Sequence, residues 1–133
     1  TVMTLSIHQF GQGYFPGTGD VTDAGHGPGE GFAVNVPLPA GTDDSDYTTL
    51  FHSALRAVVA AFDPEAVVLQ CGADTLYGDP VGGLRVSTRG WAECADAVVN
   101  GLGLPTLMLG GGGYNVPNTA RAWAILTAVA TRR

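Results

Sequence analysis

Apolar and polar positions fall into runs of two periods, and the two kinds of run alternate along the chain. Val2-Met3-Thr4-Leu5-Ser6-Ile7-His8 alternates and is rich in β-branched residues, which predicts a strand. Residues 9–31 follow, Gly/Pro-rich and nearly free of aliphatics; so long a stretch in a compact domain is either functional or disordered. Phe32–Leu38 predicts a second strand. Asp43-Asp44-Ser45-Asp46 then offers N-cap candidates and negative charge suited to a helix start. Tyr47, Leu50, Phe51, Ala54, Leu55, Val58 and Phe62 recur at helical spacing until Asp63-Pro64 stops them. Ala66–Cys71 is a continuous apolar run, the pattern of a strand buried on both faces. After an irregular stretch from Gly72 to Val86, Ser87 or Thr88 caps a predicted helix reaching Leu102. Thr106–Leu109 reads as a short buried strand opening into Gly110-Gly111-Gly112-Gly113-Tyr114, and a last helix runs from Pro117, a good first-turn residue, to Thr131.

This order, β–loop–β–α–β–loop–α–β–glycine loop–α, predicts an α/β unit: a mostly parallel, buried sheet flanked by helices. Ligands of such sheets bind beyond the carboxyl ends of the strands. Three features fall there: the long loop after His8, Asp74 just after Cys71, and the glycine run after Leu109.

Composition narrows the function classes. With 133 residues, 45% hydrophobic and 14% charged, the chain suits a single core and excludes a disordered segment or a basic nucleic-acid module. Its 20 glycines cluster rather than recur every third residue, which excludes collagen. Apolar segments are short and interrupted, so no transmembrane span is predicted. The net charge of −6 arises from 12 acidic residues against 6 arginines without a single lysine. That balance argues against phosphate-backbone binding and serves solubility. Two cysteines make no disulfide framework, and Cys71 and Cys94 are read as reduced thiols. Thr1 leads straight into a strand without a basic n-region, which reads as the edge of a fragment rather than a signal peptide.

Few residues carry chemistry on their own. Asp74, at the end of a buried strand, suits a hard metal ligand or a general base, but taken alone it reads first as a loop carboxylate capping local amides. Asp79, in Gly78-Asp79-Pro80, has the setting of a turn residue. His8, His26 and His52 are too far apart for a two-histidine metal helix; His8 is expected to make a structural hydrogen bond, and His52, inside the amphipathic helix beside Phe51, to be a surface or boundary residue. The glycine run permits close backbone approach, but no Gly-Lys-Ser/Thr follows it, so a phosphate cradle is disfavoured. Tyr114 suits either oxyanion stabilisation or ordinary packing.

Taken together, Val2–His8, Tyr14-Phe15-Pro16-Gly17-Thr18-Gly19-Asp20, Ala33–Leu38, Ala66–Thr75, Leu109–Tyr114 and Asn118–Trp123 resemble the zinc-dependent histone deacetylases, particularly class I, in order and spacing over essentially the whole chain. The resemblance implies the arginase/deacetylase-type fold and hydrolysis of acetyl-lysine amides on histones or other proteins. It implies Asp74 as a zinc ligand and Tyr114 as the group that hydrogen-bonds the acetyl carbonyl and the oxyanion. Phe15 becomes an aromatic wall of the acetyl-lysine tunnel, Gly112 part of its lining, and Val81 a rim residue whose apolar identity suits protein substrates over polyamines. The backbone carbonyls of Ser6 and Ile7 correspond to a structural K+ site beside the Zn2+, and those of Val2 and Phe32 to a second monovalent site.

The departures matter as much. No Asp-x-His motif and no His-His pair occurs in residues 1–133, so the family's other two zinc ligands and its histidine base are missing. Residues 1–133 are therefore expected to be the C-terminal portion of the catalytic domain, inactive alone and partnered by the absent N-terminal portion. Corepressor-type proteins are further partners the resemblance implies, with no direct nucleic-acid or membrane partner and a nuclear or cytoplasmic location. The alternatives are a truncated, non-catalytic interaction module, or a deacetylase of acetylpolyamines or other small amides.

Overall fold

The computed structural model of the protein describes residues 1–132; Arg133, the end of the span assigned from sequence, lies outside the described residues. These form strands β1 (Thr4–Gln9), β2 (Ala33–Leu38), β3 (Val67–Gln70) and β4 (Thr106–Leu109), and helices α1 (Asp44–Phe62), α2 (Thr88–Val99) and α3 (Val116–Thr131), with one 3-10 turn at Gly27–Gly29. Pairing is parallel throughout, Thr4 against Ala33 to Gln9 against Leu38 and Val67 against Thr106 to Gln70 against Leu109. The α/β class and the parallel strands agree with the sequence pattern.

The strands form two separate pairs, β1–β2 and β3–β4, not one ladder. An apolar groove of 250 Å³ separates them, lined among others by Met3 and Leu5 of β1, Phe51 and Leu55 of α1, and Val67 and Leu69 of β3. The expectation that β3 is buried on both faces fails for a related reason. Its residues alternate between half-buried and exposed, as do those of β4, and Val68 and Leu107 are 66% and 59% exposed. An all-apolar run signals two faces that favour cover; within this chain only one face receives it.

Helix boundaries follow the expected chemistry. The Asp43 carboxylate accepts from the Ser45 amide at 3.0 Å to cap α1, which ends at Asp63 in the left-handed region (φ 51°) just before Pro64. Ser87 Oγ accepts from the Arg89 and Gly90 amides at 3.2 Å to start α2. The same hydroxyl donates to the Asp44 carboxylate at 2.5 Å, and the Ser87 amide donates to it at 2.6 Å, tying the first turn of α1 to the start of α2. α2 stops at Val99 rather than Leu102: Asn100 caps it, its amide still donating to the Asp96 carbonyl and its side chain donating to the Val129 carbonyl of α3, and Gly101 follows.

The segment read as irregular, Gly72–Val86, supplies the centre of the core. Ala73, Leu76, Leu84 and Val86 are 2%, 3%, 3% and 0% exposed, packed with Leu38, Trp91, Cys94 and Ala122. Each of the leucine and valine side chains, taken fully from water, contributes about 1.5–3 kcal/mol. The segment folds back on itself, with the Tyr77 amide donating to the Val86 carbonyl at 2.9 Å. Cys71 and Cys94 are free and buried. Among the described residues no helix is long and apolar enough to cross a membrane.

Candidate functional site

The carboxyl ends of β1 and β3 and the loops after β1, β3 and β4 surround one cavity of 530 Å³. Ser6, Ile7, Phe15, Asp74, Val81 and Tyr114 all line it. Gly112 lies behind, its Cα so placed that a Cβ would run into the Asp74 carboxylate, 2.6 Å from its Cγ. Val2 and Phe32 are not brought here; they lie at the opposite end of the β1–β2 pair, where the Phe32 carbonyl already accepts from the Thr4 amide at 2.9 Å.

Asp74 is positioned by its surroundings on three sides. The indole of Trp91, on α2, donates to the Gly72 carbonyl and that of Trp123, on α3, to the Cys71 carbonyl, each at 3.1 Å. The Ala73 amide donates to the Gly112 carbonyl at 2.6 Å, stitching the Asp74 loop to the glycine run. Gly113 sits at φ +141°, a conformation L side chains rarely adopt, and a Cβ there would meet Thr119 Oγ1 at 2.6 Å. The run is therefore a close-packed turn against both the Asp74 loop and α3.

Half-buried, the Asp74 side chain accepts no hydrogen bond from another described residue. Burial pushes its carboxyl above the usual carboxylate range, opposed by its own amide and reinforced by Asp79. The nearby Tyr14 phenol is raised too, first by burial and then by Asp74, Asp79 and Tyr114. A desolvated carboxylate with no donor beyond its own amide is costly unless a cation joins it, so this oxygen pair fits one ligand position of a zinc ion. The donor set stops there: among the described residues no cluster of three His, Cys, Asp or Glu side chains could hold a metal, and a catalytic zinc takes three protein ligands.

The histidines do not fill the gap. The His8 ring is fully engaged, Nε2 donating to the Gly19 carbonyl at 2.9 Å and Nδ1 accepting from Ser6 Oγ at 2.8 Å. His52 pairs with Glu93 at 3.2 Å on the α1–α2 surface, and His26 is exposed in the long loop. For a monovalent cation, the β1 register distinguishes the two expected carbonyls. The Thr4 and Phe10 amides donate across to β2, and the two-residue alternation of a parallel ladder turns the Ser6 carbonyl to that side as well. The Ile7 carbonyl faces the open edge, while Ser6 offers its hydroxyl.

Tyr114 is 55% exposed at the cavity mouth and Phe15 87% exposed on the facing loop. Sequence reasoning underrated Asp79. Only 8% exposed, its carboxylate accepts from Val81 and Gly82 amides through Oδ1, at 2.9 and 3.0 Å, and from Tyr114 and Asn115 amides through Oδ2, at 2.7 and 3.3 Å. The Gly78-Asp79-Pro80 signature gave away the local half of that arrangement; the half reaching across 35 residues left no local signal.

A parallel α/β scaffold thus brings a half-buried carboxylate, a phenol and an aromatic ring to one cavity beyond its strand ends. The family profile described as histone deacetylase domain matches residues 1–130, and the chain belongs to that family. It is 53% identical over 126 residues to histone deacetylase 8 of Danio rerio, covering 95% of this chain and 33% of that protein. It is 50% identical over 132 residues to histone deacetylase 8 of Xenopus tropicalis, covering 99% and 36%, and 50% identical over 129 residues to histone deacetylase 1 of Homo sapiens, covering 97% and 26%. The chain thus spans about a third or less of the length of these relatives.

Proposed function

We propose that this chain is the C-terminal portion of a zinc-dependent deacetylase domain that hydrolyses acetyl-lysine amides on histones or other proteins in the nucleus or cytoplasm. The observation that carries the reading is the convergence of Asp74, Tyr114 and Phe15 on one cavity. Zinc, when bound, polarises an amide carbonyl and lowers the pKa of a coordinated water. Asp74 supplies one anionic ligand. The Tyr114 phenol donates a hydrogen bond to the acetyl oxygen as negative charge develops there. Phe15 and Val81 give an apolar path for the aliphatic lysine stem, and the acetyl group masks the charge that stem would otherwise bring in. An apolar residue at position 81 favours a protein substrate over a cationic polyamine. Ser6 and Ile7 hold a potassium ion nearby.

The remaining two zinc ligands and the histidine base come from outside residues 1–133, on a segment that closes the apolar groove between β1 and β3. Acetate release from an acetyl-lysine peptide, measured with the chain alone and with the complete domain, tests the reading. Zinc-dependent turnover is expected only from the complete domain; turnover by the chain alone, or none from the complete domain, refutes it.

A further inference from the structure

We propose that Asp79 is a positioning residue: one buried carboxylate sets the Tyr114 phenol and the Val81 rim at a fixed separation across the cavity mouth. This rests on the deacetylase reading for its catalytic consequence, not for its geometry. The Tyr114 side chain makes no hydrogen bond to a described residue, so its place depends on the backbone that carries it. That backbone is fixed by Asp79 Oδ2, which accepts from the Tyr114 amide at 2.7 Å and the Asn115 amide at 3.3 Å. Asp79 Oδ1 holds the Val81 and Gly82 amides at 2.9 and 3.0 Å.

An aspartate serving its own turn needs one oxygen for the amides two and three residues on. Asp79 uses the second oxygen on a segment 35 residues away. The junction is reinforced beside it, where the Asn115 side chain donates to the Gly78 carbonyl at 3.0 Å and that of Asn118 to the Tyr77 carbonyl at 3.4 Å. Burial pushes the Asp79 carboxyl up, but its four amide donors outweigh this and hold it below the usual range. The group is thus an anion accepting from four donors, an arrangement that fails if either oxygen is replaced.

Asp79→Asn keeps the shape but offers only one acceptor oxygen, so its NH2 group faces one of the two amide pairs. In the complete domain, kcat for an acetyl-lysine peptide is expected to fall about 10–100-fold, the scale on which small misplacements of a catalytic group act, with KM changed less than about threefold. In a Tyr114→Phe background, Asp79→Asn should lower kcat no further, because the group it positions has gone. A merely structural role would instead give an additive loss, and that result, or an unchanged kcat in Asp79→Asn where Tyr114→Phe is impaired, overturns the proposal. Amide hydrogen exchange in the 133-residue chain judges the geometry apart from catalysis. The Tyr114 amide is expected to be protected, and to exchange at least about tenfold faster in Asp79→Asn. A fast-exchanging Tyr114 amide in the unsubstituted chain overturns the proposal even if the variant does not fold. If Tyr114→Phe leaves turnover unchanged, the deacetylase role of Tyr114 fails, and with it the catalytic half of the inference.

Discussion

Replacing Gly112 by Ala separates the packing of the site from its chemistry. An added Cβ would stand 2.6 Å from Asp74 Cγ, where ordinary contact begins near 3.4 Å, and would overlap the nearer carboxylate oxygen. The glycine cannot retreat freely, since its carbonyl accepts from the Ala73 amide at 2.6 Å and the turn beyond it is anchored through Tyr114 to Asp79. Asp74 yields instead, because no neighbouring donor holds its side chain. Rotating it off its preferred χ angles costs about 0.5–1.5 kcal/mol, so the variant should fold with a modest loss of stability. The carboxylate moves by about the size of the overlap, and disturbing the support of a metal ligand typically lowers affinity about 10–100-fold. Competition of the complete domain with a fluorescent zinc chelator measures that affinity, and urea unfolding of the chain measures stability. Wild-type zinc affinity in a folded Gly112→Ala variant would refute the close packing of Gly112 on Asp74 as the means of placing the ligand.

Tyr114→Phe in the complete domain should lower kcat about 10²–10³-fold, as loss of one oxyanion donor does, with zinc content and melting temperature unchanged because the phenol is exposed; steady-state kinetics and metal analysis check both. Asp44→Ala removes the acceptor of the Ser87 amide and hydroxyl and should cost the chain about 1–2 kcal/mol in urea unfolding; a smaller change than about 0.5 kcal/mol would show that the α1–α2 link is solvated. Burial pushes the Cys71 thiol up to about 11 and the Cys94 thiol to about 12, from a reference of 9.0. Folding therefore favours the protonated thiols, their contribution is complete below pH 9 and is lost as pH rises toward those values. The urea midpoint should fall between pH 9 and 11, and less so in Cys94→Ala.

What the sequence disclosed and what it hid divide along local and non-local lines. Asp43, Ser87 and Pro117 mark helix starts because capping is settled within three residues, and the Thr106–Leu109 strand was bounded correctly by its glycine and proline flanks. The cavity itself was legible in outline, since all three of its loops follow strand ends in a parallel unit. Gly72–Val86 looked like a loop because its apolar residues, Leu76, Leu84 and Val86, follow neither period, yet they fill the centre of the core. The open groove between β1 and β3 was equally hidden, for apolar patterning states that a face favours cover but not which segment supplies it. The second oxygen of Asp79 belongs to the same category, a contact whose partner lies too far along the chain for any spacing rule.

The two indoles that donate to consecutive carbonyls at the end of β3 have a practical value. They are the only tryptophans in the sequence, and their partners, the carbonyls of Gly72 and Cys71, lie just upstream of Asp74. Intrinsic fluorescence of this protein is therefore an optical readout of the Asp74 loop, the one proposed to hold zinc, with no label required. Titration with zinc, or assembly with the segment proposed to supply the remaining ligands, can be followed through these two indoles.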